Sequence, residues 1–91
     1  MNAYVTVATF KAGTDMNELT AHIPQEVAQV ERLRTEKRMG AVHVSFARGT
    51  VFIEVFALDE AGARETLETL PLARWLNFDL FPISQAPGRP Q

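Results

Sequence analysis

The sequence predicts an α+β domain: a four-stranded antiparallel sheet with two helices on one face, in the order strand–helix–strand–strand–helix–strand. Four segments alternate at the two-residue period of a strand, two others repeat apolar residues every three to four positions, and the middle two strands flank a glycine turn.

In residues 3–10, Val5 and Val7 fall on one side and Tyr4, Thr6, Ala8 and Phe10 on the other. Both sides are β-prone, which predicts a central strand covered on both faces. A turn follows at Lys11, Ala12, Gly13 and Thr14, and Asp15 with Glu18 reads as a capping box opening a helix. Met16, Leu19, Ile23, Val27, Val30 and Leu33 then form an apolar stripe interrupted by Pro24. Proline lacks an N–H but is tolerated in a first turn, so a short segment followed by a main helix to about Lys37 is expected. Next, Val42, Val44 and Phe46 alternate with Ala41, His43 and Ser45, and beyond Arg48 and Gly49 a second run alternates Val51, Ile53 and Val55 with Phe52, Glu54 and Phe56. A two-residue turn at Arg48 and Gly49 would set Val44 opposite Ile53, Ser45 opposite Phe52, and His43 opposite Glu54. Asp59 caps a second helix carrying Ala63, Leu67 and Leu70 inward, Pro71 ends it, and residues 75–83 form the last strand. This order describes the ferredoxin-like βαββαβ arrangement over residues 1–83, leaving 84–91 as a tail containing proline and glycine.

Composition narrows the function classes. A chain of 91 residues, 46% hydrophobic and 22% charged, is one globular domain near the size where a partner subunit helps stability. Its net charge of −2 without a basic run argues against a nucleic-acid partner, and no apolar stretch reaches the roughly 18 residues of a membrane span. The start, Met1 to Tyr4, runs into a strand without a cationic leader, so a cytoplasmic protein is expected. There is no cysteine, and two histidines without ligand spacing make no metal site.

With the helices over Val5, Val7, Val42, Val44, Val51, Ile53, Val55, Leu76, Phe78 and Leu80, the opposite face would carry Tyr4, Phe10, Phe52, Phe56, Trp75 and Phe81. Six uncovered aromatics predict that a second sheet packs there, making a homodimer or higher ring.

Further residues carry a family likeness: Val55-Phe56, Thr66-Leu67, Leu70-Pro71-Leu72, Trp75 and Pro87, with weaker matches at Asp15-Met16 and from Glu26 through Arg32-Leu33. The chain resembles the muconolactone isomerase family. The resemblance implies dimeric α+β barrels that shift a proton in an unsaturated lactone acid without cofactor, as in aromatic catabolism. It implies an acid/base glutamate on the first helix, here Glu26, facing a pocket floored by Val44, Val51 and Ile53. Burial there would raise the carboxyl's pKa toward neutrality. Arg32 or Arg48 is the candidate to meet an anionic ligand. The family's third-strand tyrosine and asparagine are replaced by Val51 and Ile53, or by Thr50 and Phe52 on a shifted alignment.

From the residues alone, His43 with Glu54 is the best acid/base pair, either as a general base or as a structural ion pair inside an interface. Tyr4, Asn77 and Asp79 share that face. Two alternatives to an isomerase follow: a catalytically silent small-ligand-binding or scaffold protein, and a cofactor-free monooxygenase using His43 and Trp75.

Overall fold

The computed structural model describes residues 1–84. Strand β1 (Asn2–Phe10) leads to helix α1 (Met16–Ala21) and helix α2 (Ile23–Thr35). Strands β2 (Met39–Ser45) and β3 (Thr50–Ala57) form a hairpin, followed by helix α3 (Glu60–Glu68) and strand β4 (Leu76–Ile83). The four strands make one antiparallel sheet in the order β2-β3-β1-β4, so the expected α+β architecture is present.

Local chemistry explains the boundaries. Asp15 accepts the N–H groups of Asn17 and Glu18 at 3.0 and 3.2 Å, and Asp59 accepts that of Gly62 at 2.8 Å. Only half of the expected capping box forms, because the Glu18 side chain turns to Arg74 at 3.7 Å. Pro24 stands in the first turn of α2, where its missing N–H leaves no bond unmade, and His22 separates α1 from α2. At the far end, Arg38 N–H reaches the Leu33 carbonyl and Lys37 N–H the Arg34 carbonyl, with Lys37 at φ 60°. That pair of bonds is a Schellman closure, with lysine where glycine is usual.

The faces of β1 are the reverse of those expected. Thr6 lies between Ile53 and Leu80, and Tyr4 beside Val55, so Tyr4, Thr6, Ala8 and Phe10 face the helices. Val5 and Val7 lie on the open side, next to Glu54 and Phe81, and to Phe52 and Asp79. Alternation alone could not decide this, because both sides of β1 are apolar. Pairing with β3 fixes it: Ile53 and Val55 are buried, and their partners must share their face. Trp75 belongs to neither face of β4. It sits in a 3-10 turn (Ala73–Trp75), its ring edge-on to His22 and its face under the Arg74 guanidinium. Of the six aromatics expected on the open face, Phe52, Phe56 and Phe81 are there, joined by Val5, Val7 and Ile83.

The hairpin also differs. Phe46–Arg48 form a 3-10 turn closed by Gly49 at φ 55°, ψ 41°, so four residues connect the strands. Val42 pairs with Ile53, His43 with Phe52, and Val44 with Val51. The register has slipped by two from that expected, which preserves every face but parts His43 from Glu54. The expected tail falls almost wholly outside the described residues. Among the described residues no helix is long and apolar enough to cross a membrane.

Candidate functional site

Helix α2 closes tightly onto the sheet at one end only. Near its C-terminus Leu33 is 1% exposed and the facing Met39 3%, whereas Val27 is 57% and Val44 49% exposed. Between the open end of α2, helix α1 and the turn of the hairpin lies a cleft of about 790 Å³. Phe10, Leu19, Val30, Val42, Val51 and Leu72 line its walls, and Phe46, 92% exposed, stands at its mouth. The volume is that of a small-molecule site.

Glu26, in the first turn of α2, is on the wall. One carboxylate oxygen accepts the Leu72 N–H at 3.0 Å. This N–H, just ahead of the 3-10 turn, makes the carboxylate a bridge from α2 to the segment entering β4. Among the described residues no hydrogen bond reaches the second oxygen. Burial raises the Glu26 carboxyl above its ordinary 4.5, and the Leu72 N–H offsets part of the rise by stabilising the charged form. The result is a carboxyl in largely apolar surroundings with one oxygen held by a backbone N–H.

The other expected site residues are distributed differently. Val44 and Val51 line the cleft, but Ile53 is buried in the core and is not part of its wall. Arg32 is outside the cleft and donates to Gln29 at 3.1 Å on the helix surface. Arg48 belongs to the hairpin turn and is not among the lining residues either. The remaining polar groups of the wall are Glu31 and the hydroxyls of Thr20, Ser45 and Thr50, of which Thr50 already donates to the Arg48 carbonyl at 2.9 Å.

His43 and Glu54 border a separate hollow of about 200 Å³ on the open sheet face, with Val5, Ala41 and Phe52. No hydrogen bond or ion pair joins them among the described residues. Glu54 instead accepts the Ala41 N–H at 3.3 Å, at a bulge where the ladder breaks between Met39 and Val42. A side chain at Gly40 would run into that carboxylate, so the glycine leaves it room. Glu54 therefore satisfies backbone that the bulge leaves unpaired. Tyr4, expected beside this pair, faces the helices, while Asn77 and Asp79 remain on the open side. His43 on edge strand β2 and Trp75 before the opposite edge strand β4 do not share a site.

The Leu72 contact and the junction cluster have no signal in residue spacing. His22 pairs its Nδ1 with the Glu18 carbonyl at 2.9 Å and its Nε2 with Arg74 at 3.3 Å. Only folding brings position 22 to position 74.

No family model matches the chain, and no curated protein matches it either.

Proposed function

We propose that this chain is a cofactor-independent small-molecule isomerase of the muconolactone isomerase type, moving a proton within an unsaturated lactone or ketone. One observation carries the proposal: Glu26, its pKa raised by burial, lines a cleft of small-molecule size. A carboxylate whose pKa is raised is a stronger base, and the acid it forms can return the proton. In a β,γ-unsaturated lactone the Glu26 carboxylate removes a proton from the carbon α to the carbonyl. The electron pair delocalises through the ring as a dienolate, and the same carboxyl returns the proton at the γ carbon. The double bond moves, and no atom is gained or lost. The Leu72 N–H keeps the carboxylate oriented through both transfers.

The open sheet face supports self-association as part of the same proposal. Val5, Val7, Phe52, Phe56, Phe81 and Ile83 form an apolar surface that no helix of the subunit covers, and a second copy of the sheet matches its chemistry.

The test is deuterium uptake by 5-methylfuran-2(3H)-one in heavy water, followed by NMR. The wild-type protein should catalyse exchange and appearance of the conjugated isomer, and Glu26→Gln should abolish both while folding normally. Undiminished exchange in that variant ends the assignment. A specific observation favours the second reading, a silent binding protein: on the cleft wall, Val42, Val44 and Val51 give a substrate carbonyl no hydrogen-bond donor. Ligand-induced stabilisation without exchange would support it.

A further inference from the structure

We infer that the cleft selects largely apolar molecules and rejects carboxylates, so that its substrate is an unsaturated lactone or ketone bearing a hydrocarbon substituent and no carboxylate. The reaction named here rests on the isomerase proposal above, whereas the selection by charge does not.

The charges around the cleft carry this inference. Its ionisable lining residues are Glu26 and Glu31, both acidic, and no lysine, arginine or histidine lines it among the described residues. Arg48, in the hairpin turn between the lining residues Phe46 and Gly49, does not itself line the cleft, and three other arginines are engaged elsewhere. Arg32 bonds to Gln29, Arg38 donates to Thr66 at 2.9 Å, and Arg74 is held between Glu18, His22 and Trp75. A carboxylate entering the cleft would lose water and meet another carboxylate with no cation to compensate. A cation would find Glu26 and Glu31 on the wall, so the selection by charge is against anions.

The walls favour hydrocarbon. Leu19, Val30, Val42 and Val51 form the interior, and the mouth is ringed by Met16, Ile23, Val27, Val44 and Phe46, all exposed. Large exposed apolar side chains are thus concentrated around one opening, where a ligand's substituent can cover them. A five-membered lactone ring fills only a small part of about 790 Å³, leaving room for an alkyl or aryl arm. The hydroxyls of Thr20 and Ser45, on the wall, can donate to the ligand's carbonyl, which supplies the polar contact such a molecule needs.

Saturated γ-lactones test the selection, because they cannot isomerise and their binding is read apart from turnover. Calorimetric titration at pH 7.5 would compare γ-valerolactone, γ-hexalactone and γ-nonalactone with the carboxymethyl γ-lactone. Affinity should rise roughly fourfold per added methylene, and the carboxymethyl lactone should bind at least tenfold more weakly than γ-hexalactone. Val44→Arg, at the exposed rim, should recover affinity for the carboxymethyl lactone. A carboxylate lactone binding as well as its neutral counterpart overturns the inference. So does failure of γ-nonalactone to bind at millimolar concentration. Selective binding of neutral lactones without proton exchange in the unsaturated analogue would leave the inference standing and remove the isomerase proposal.

Discussion

Replacing Thr6 by valine should make the protein more stable. Thr6 is wholly buried between Ile53 and Leu80, beneath the helices, and its hydroxyl has no hydrogen-bond partner among the described residues. A buried, unsatisfied hydroxyl costs about 1–3 kcal/mol. Valine keeps the β-branched shape and strand preference while exchanging that oxygen for a methyl group. The expected gain is about 1–2 kcal/mol, since the methyl must fit where an oxygen sat. For a domain of this size each kcal/mol moves Tm by about 4–8 °C. The companion Thr6→Ser keeps the hydroxyl and removes a packed methyl, so it should cost about 1 kcal/mol or more. Urea unfolding at one fixed protein concentration would measure both, with the slope of the transition unchanged. If the valine variant is less stable than the wild type, the hydroxyl makes a bond that outweighs its burial. A change within about 0.5 kcal/mol in both variants would place Thr6 on an uncovered face and refute the assignment of β1.

Glu26→Gln should alter the pH dependence of stability. The fold raises the pKa of this carboxyl above 4.5, so the folded state holds its proton more tightly than the unfolded chain. Wild-type stability from this group is fully present below 4.5 and declines as pH rises through the folded pKa, whereas glutamine does not ionise and still accepts the Leu72 N–H. The variant's advantage should therefore be larger at pH 8 than at pH 4 in paired urea titrations, and an equal difference at both would contradict the burial described. Lys37→Gly should stabilise by about 0.5–1 kcal/mol, because it relieves a left-handed residue at the end of α2. Thermal melts of the two proteins would reveal it, and a lower Tm in the variant would count against the helix ending described.

Much of this architecture is legible in the sequence because local signals agree. Asp15 and Asp59 announce helix starts, Pro24 marks the break, and the alternation around Gly49 gives a hairpin whose two strands keep their correct faces. Where residues are equivocal, tertiary pairing decides. Tyr4, Thr6 and Ala8 are less apolar as a set than Val5 and Val7 would suggest for a core, yet parity with Ile53 and Val55 turns them inward. The hairpin register depends on whether Phe46 and Ala47 continue the strand or fold into the turn, and a three-residue 3-10 turn has no periodicity to read. For the site, helical spacing is enough to put Glu26 on the stripe facing the sheet. It cannot say that Leu72 will meet it, that Arg32 will turn outward, or that Glu54 will serve a bulge.

The two outer strands are each poorly suited to recruiting another strand alongside them. On β2 the bulge between Met39 and Val42 breaks the regular row of amides, and on β4 Pro82 supplies no N–H at all. A neighbouring chain therefore finds no clean margin along which to zip a continuous ribbon. On the self-association proposed above, two copies would meet across the flat of the sheet, cover each other and stop. Concentrated solutions should accordingly contain small closed particles rather than fibres.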